Sequence, residues 1–180
     1  MLIDRLWNKI ERDHYRRDFT SLVKCEDMPS VHGRVTVNAT DVKAGKNLSI
    51  YPGAYFWGDG PIEIGDNVDI GKDTILYAHK GGGVKIGSNV AIAAQCYIID
   101  SNHGTAVNDL IRNQPMDVSP ITIEDDVWIA AGVKVLKGVT LHKGCVCAAG
   151  AVITQDVPEN EIWGGVPAKR ISLRKLISEV

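Results

Sequence analysis

The sequence predicts a mainly β chain, wound as a coil of stacked parallel strands and forming a single domain over residues 1–180. Apolar residues recur at every sixth position over most of its length, and short polar or glycine-bearing turns fill the gaps. The period changes to a helical one at both ends and lapses once in the middle.

The elements follow in chain order. Ile3, Leu6, Trp7 and Ile10 stand at i, i+3, i+4 and i+7, which predicts an amphipathic helix within residues 1–20. The coil is expected over about 31–166. Ile50, Phe56, Ile62 and Val68 keep one six-residue register, and Ile64, Ile70 and Leu76 keep a second. A slip at "HKGGG" marks a small insertion at a corner, after which Val84, Val90 and Cys96 run beside Ile86, Ile92 and Ile98. From Ile121 the pattern is at its clearest. Ile121, Val127, Val133, Val139, Cys145 and Ala151 run in parallel with Ile123, Ile129, Val135, Leu141, Cys147 and Ile153. Each unit, as in "VWIAAG" or "VTLHKG", is a short strand with alternate side chains on one face, followed by a turn. An antiparallel sandwich would space its strands about 8 to 12 residues apart, and six leaves no room for a strand pair with its hairpin. Leu173, Leu176, Ile177 and Val180 repeat the helical spacing, so a second short helix is expected over 171–180. Such helices suit either the capping of the open coil ends or contacts between copies.

Composition narrows the function classes. A chain 44% hydrophobic and 23% charged suits a packed domain, and a formal net charge of -2 gives no overall attraction for nucleic acid or acidic membranes. No apolar run approaches the roughly 20 residues of a membrane span. The start MLIDRLWNKIERD lacks the basic-then-apolar order of a signal peptide, so the expected location is cytoplasmic. Cys96, Cys145 and Cys147 occupy apolar positions of the repeat and read as reduced core thiols. "GCVCAAG" has no second cluster at zinc-ligand spacing, and no metal site is expected.

The lapse carries the chemistry. Between Ile98 and Ile121 the phase shifts, and the intervening residues lose the pattern. This predicts an extruded loop over 100–120, of a length that in compact domains is often functional. The apolar register ends at Ile99, so His103 stands where the chain leaves the wall of the coil. Asp100 and Asn102 beside it are candidates for orienting the imidazole or binding acceptor hydroxyls, and are also ordinary turn formers. Trp128, between Val127 and Ile129, points outward, and the run "YFW" sets Phe56 inward with Tyr55 and Trp57 outward.

The stretch "SPITIEDDVWIAAGVKVLKGVTLHKGCVCAAGAVITQDVPENEIWGGVPAKRI" resembles the C-terminal half of hexapeptide-repeat acyltransferases, most nearly the sugar O-acetyltransferases of the maltose, galactoside, capsule and exopolysaccharide groups. The resemblance covers about residues 50 to 170. It implies a left-handed parallel β-helix, a three-sided prism of about 18 residues per coil; the hand comes from the resemblance, since parallel crossovers ordinarily favour the right hand. It also implies acetyl-coenzyme A as co-substrate, with no tightly bound cofactor, and a homotrimer with its sites between adjacent prisms. His103 matches the family's catalytic base. Trp128 matches an indole beside the site, and Ala131 and Ala149 match positions whose backbone binds the pantetheine arm. Thr154 and Lys169 match positions near the nucleotide end. The family's next basic position is Ser172 here, with Arg174 and Lys175 close by in sequence as substitutes. Tyr77 and His79, just before "GGG", fall in a region that in the family approaches the histidine of a neighbouring subunit.

The function so implied is transfer of acetyl from acetyl-coenzyme A to a hydroxyl of a saccharide or polysaccharide. Three other readings stand beside it: N-acetylation of an amino sugar nucleotide, O-acetylation of an antibiotic, and a non-catalytic β-helix scaffold. A zinc hydratase on the same fold needs three histidines, two of them separated by four residues, and the five histidines here include no such pair.

Overall fold

The computed structural model describes residues 2–176 and 178, with side-chain surroundings from residue 9 onward. The repeat folds, as the six-residue spacing predicts, into a coil of stacked parallel strands with three faces, and it is the left-handed β-helix that the resemblance implies. The first face stacks the strand Ile121–Ile123 between Val84–Ile86 and Thr140–Leu141. The second runs from Ser30–Val31 through Ala91–Ile92 and Trp128–Ile129 to Glu161–Gly164. The third stacks Ile75–Tyr77, Tyr97–Ile99, Lys134–Val135 and Val152–Ile153. Two longer strands, Thr36–Ala44 and Tyr55–Ile64, run through the corner between third and first faces, and so join those two faces into one ten-stranded sheet.

The core is a set of stacked columns. On the second face Ile50, Ile70, Ile92, Ile129 and Cys147 lie one above another, and on the third Phe56, Leu76, Ile98, Val135 and Ile153, none more than 2% exposed. Burial of one such aliphatic side chain contributes about 1.5–3 kcal/mol. Because each backbone group pairs with the coil above or below, the column is stiff along its length. At the first-to-second corner the chain turns through a left-handed residue in successive coils. Asn47, Asn67 and Asn89 supply it at φ 54 to 59°, and their side chains form a ladder of hydrogen bonds at 2.9 and 3.0 Å. Asparagine visits this region at lower cost than other side-chain-bearing residues, which explains its recurrence in "KN", "DN" and "SN".

Coil length departs from regularity only at insertions. Stacked partners His142 and Glu124 are 18 residues apart, Lys46 and Asp66 20, Asp66 and Ser88 22, and Ser88 and Asp125 37. The excess falls at the third-to-first corner, at Gly58–Asp59–Gly60, then at the "HKGGG" segment, then at the extruded loop.

The ends differ from expectation in detail. The N-terminal helix spans Leu2–Leu22, and the residues that close the bottom of the coil are Phe19 and Val23, 2% and 3% exposed, with the Phe19 ring 5.9 Å from Phe56. Ile10 is 47% exposed, and the side chains of Ile3, Leu6 and Trp7 lie outside those described. The helix expected over 171–180 is corrected at its start. Residues 171–173 belong to the strand Lys169–Leu173, which folds back antiparallel on Glu161–Gly164 and satisfies the last edge of the second face. Ile177 and Val180 lie outside the described residues. Among the described residues no helix is long and apolar enough to cross a membrane.

Candidate functional site

Two regions bring the predicted site residues together, one at a corner and one on a face.

The corner is the third-to-first one. The extruded loop there is a hairpin: Ser101–His103 pairs antiparallel with Met116–Val118, and His103 stands opposite Met116. The chain beyond is tied across by Gln114. Gln114 donates from Nε2 to the carbonyls of Ala106 and Asp109 at 2.8 and 2.9 Å, and its Oε1 accepts from the Ala106 N–H at 2.8 Å. The sequence carried no signal for this staple, because glutamine in a polar loop is unremarkable. Asp117 anchors the stem to the next coil through Lys137, at 2.8 Å. His103 and Asn102 are exposed, and so are Val107, Leu110 and Ile111 at the tip, at 104%, 65% and 57%.

Tyr77 and His79 sit one coil below. Tyr77 stands opposite Ile99, its ring edge-on to Trp57 at 5.0 Å, and Trp57 in turn stacks on Tyr55. Partial burial first, then the charges of Asp59 and Asp100 and the nearby Tyr97, raise the Tyr77 phenol above its ordinary value, so it remains a hydroxyl donor. The His79 ring places Nδ1 3.0 Å from the Lys80 carbonyl. A carbonyl only accepts, so that ring nitrogen is the donor of the contact. Asp100 is corrected from its expected place among acceptor-binding groups. It is 0% exposed, and its carboxylate faces inward to the backbone N–H groups of His79 and Gly83.

The second region is a groove of about 720 Å³ on the second face. Trp128, 53% exposed, forms one wall, and Ala131 and Ala149 belong to a floor of small side chains with Ala93, Ala130 and Ala148. Short side chains on successive coils leave the backbone open to an extended ligand. Arg174 and Lys175 close one end. Arg174 is held in place: Nη1 lies 2.8 Å from the Asp126 carboxylate and donates to the Gly144 carbonyl at 2.9 Å. Thr154 and Lys169 are not among the lining residues. Thr154 follows the third-face strand Val152–Ile153, and Lys169 opens the last strand opposite Gly164.

His103 is likewise absent from the groove lining, since it leaves the prism at a different edge from the one Trp128 occupies. The three core cysteines are buried, and Cys147 is raised far above the usual thiol range by its hydrogen bond with Cys145 and by burial. No nucleophilic thiol serves either region. Among the described residues no group of three or more histidine, cysteine or acidic side chains is placed to hold a metal ion. Another open groove, on the first face, is lined by the side chains Lys43 and Glu63, which pair with each other at 3.8 Å.

Comparison with known proteins agrees with this architecture. Residues 120–155 match the bacterial transferase hexapeptide (six repeats), and residues 61–99 match the hexapeptide repeat of succinyl-transferase. Both stretches are thus similar to the hexapeptide repeats of transferases, in keeping with the three-faced coil. Among the chain's relatives is the galactoside O-acetyltransferase of Escherichia coli, 33% identical over 134 aligned residues, with 71% of this chain and 61% of that one covered. Two solved structures share the fold. A maltose O-acetyltransferase from Clostridium difficile 630 is 25% identical with a TM-score of 0.61, covering 96% of this chain and 82% of that one. AntD, an N-acyltransferase from Bacillus cereus solved with dTDP-4-amino-4,6-dideoxyglucose and coenzyme A, is 16% identical with a TM-score of 0.77, covering 91% of each chain. The chain spans between 39% and 62% of the length of the first curated relatives it matches.

Proposed function

We propose that the protein transfers an acetyl group from acetyl-coenzyme A to a hydroxyl of a saccharide, in a homotrimer whose sites each combine the His103 hairpin of one copy with the second-face groove of the next. One observation carries this reading: within a single chain the exposed imidazole and the alanine-floored groove occupy different sides of the prism. A second copy beside the first supplies what each edge lacks. The exposed apolar tip formed by Val107, Leu110 and Ile111 supports the same reading, because such a cluster on a loop is a natural contact for a neighbouring prism.

In this reading the pantetheine arm lies along Ala131 and Ala149 beside Trp128, with Lys175 facing the phosphates as a point charge and Arg174 holding the wall it stands on. Lys169, outside the lining, falls to a lesser role. An acceptor hydroxyl is oriented by Tyr77, His79 and Asn102. His103 takes its proton as the oxygen attacks the thioester carbonyl; the tetrahedral adduct then collapses and expels the coenzyme A sulfur, which receives that proton from the imidazolium. No enzyme nucleophile is needed, in keeping with the buried thiols.

The test is a panel of saccharides, nucleotide sugars and amino sugars, scored by release of free coenzyme A from acetyl-coenzyme A. Thiol release with a hydroxyl acceptor that is lost in His103→Ala is the expected result. Release with amines alone would move the reaction to N-acetylation, and release with none would return the chain to a scaffold.

A further inference from the structure

We infer that Asp100 is the positioning residue of the acetyl-transfer edge: its buried carboxylate ties the "HKGGG" corner to the root of the hairpin that carries His103. The inference rests on the assignment of His103 as base and adds to it the device that aims the base.

Asp100 contacts both the "HKGGG" segment and the returning strand of the hairpin. Its carboxylate accepts from the His79 N–H, 2.9 Å from each oxygen, and from the Gly83 N–H at 2.6 Å. Its own carbonyl accepts from the Ser119 N–H at 2.9 Å, where the second strand of the hairpin returns to the prism. One residue therefore fixes both feet of the hairpin and both ends of the insertion below it. Its charge is met by these backbone dipoles. Burying a carboxylate is expensive, and backbone N–H donors offset that cost only while their geometry holds.

The corner needs such a clamp. Gly81 and Gly83 adopt φ values of +89° and +142°, open to glycine and poorly open to other residues, so the segment has little stiffness of its own. Gly82 completes the fit, because a Cβ there would overlap the Asp100 carboxylate and press on Val118 Cγ1 in the opposite foot of the hairpin. His103 stands three residues beyond Asp100, at the end of an extended segment about 10 Å long. A tilt of only about 6° at the root would displace the imidazole by about 1 Å, and misplacement of that size costs up to about 100-fold in rate. The same carboxylate holds the backbone of His79, so both imidazoles of this edge depend on one group.

The experiment compares Asp100→Asn, Asp100→Gly, His103→Ala and the unaltered enzyme, using acetyl-coenzyme A and the fastest saccharide of the panel. Asp100→Asn should lower kcat by about 10- to 100-fold while leaving the KM for acetyl-coenzyme A unchanged, because the groove lies on another face. Added formate should restore part of kcat in Asp100→Gly by occupying the vacated anion position, a response that general loosening of the fold would not give. Independently of turnover, the amides of His79 and Gly83 should be protected from hydrogen exchange in the unaltered protein and lose that protection in Asp100→Asn. A folded Asp100→Asn with kcat within about twofold of the parent, or fast exchange at both amides in the parent, would overturn the inference. If neither Asp100 variant folds, Gly82→Ala decides: it keeps the carboxylate and displaces it, and an unchanged kcat counts against the clamp. An active His103→Ala removes the base assignment itself, whereas an inactive His103→Ala beside a normal Asp100→Asn removes only the role of Asp100.

Discussion

The second face and the third-to-first corner are built from the same coils and follow opposite rules. On the second face from Trp128 upward the coil is uninterrupted, so each outward side chain lies over its counterpart one coil below and the surface becomes a rail. At the corner each successive coil carries a longer insertion, from Gly58–Asp59–Gly60 through "HKGGG" to the hairpin. Regular stacking suits a long ligand that must lie flat. Departure from it lets side chains leave the wall and reach a reacting atom. Where the backbone departs from the ladder, side chains have to replace the lost bonds, as Asp59 does for the Lys80 N–H at 2.8 Å and Asp100 does for His79 and Gly83.

That contrast makes graded predictions. His103→Ala at the corner should have the largest effect, a loss of about 10²- to 10⁴-fold in kcat with the fold intact, as removal of a general base implies. A variant turning over at the parental rate would detach chemistry from the corner. Next in size is Ala149→Trp, which fills the floor of the groove; steady-state kinetics should show the KM for acetyl-coenzyme A rising by more than about tenfold, with no change in the acceptor KM. An equal rise in both constants would mean that the rail serves the acceptor as well. Lys175→Glu should raise the same KM more than Lys169→Glu does, because Lys175 lines the groove and Lys169 does not. The reverse order would return the phosphate contact to Lys169.

The smallest effect concerns pH. The Tyr77 phenol is raised in the folded protein, so above its unfolded value of about 10 the folded state binds more protons than the unfolded one. Its contribution is complete below that pH and is lost as pH rises through the folded value. Thermal melts across this alkaline range should fall less steeply in Tyr77→Phe than in the parent, and identical slopes would show that the corner does not perturb the phenol.

The regular part of the molecule was legible because its period is its structure: every apolar position from Ile121 to Ile153 in the two registers is buried where the spacing places it. The outward Trp128 followed from the same register, Ala131 and Ala149 came from the resemblance, and the three meet in one groove. The corner was legible only as an interruption. That Asp100 turns inward depends on a partner 21 residues earlier in the chain, and the sequence around Asp100 reads equally well as a turn. The C-terminal segment misled for a related reason. Leu173 and Leu176 have helical spacing, but the open hydrogen-bonding edge of Glu161–Gly164 takes up Lys169–Leu173 as a strand instead, and this brings Arg174 and Lys175 to the groove.

If chemistry and coenzyme binding come from different copies, mixing subunits will show it. His103→Ala and Ala149→Trp should each be nearly inactive alone at low acetyl-coenzyme A. Unfolding the two together and refolding them as mixed assemblies should restore turnover, because some interfaces then pair an intact imidazole with an intact groove. Mixed assemblies as inactive as either parent would mean that imidazole and groove do not act across copies.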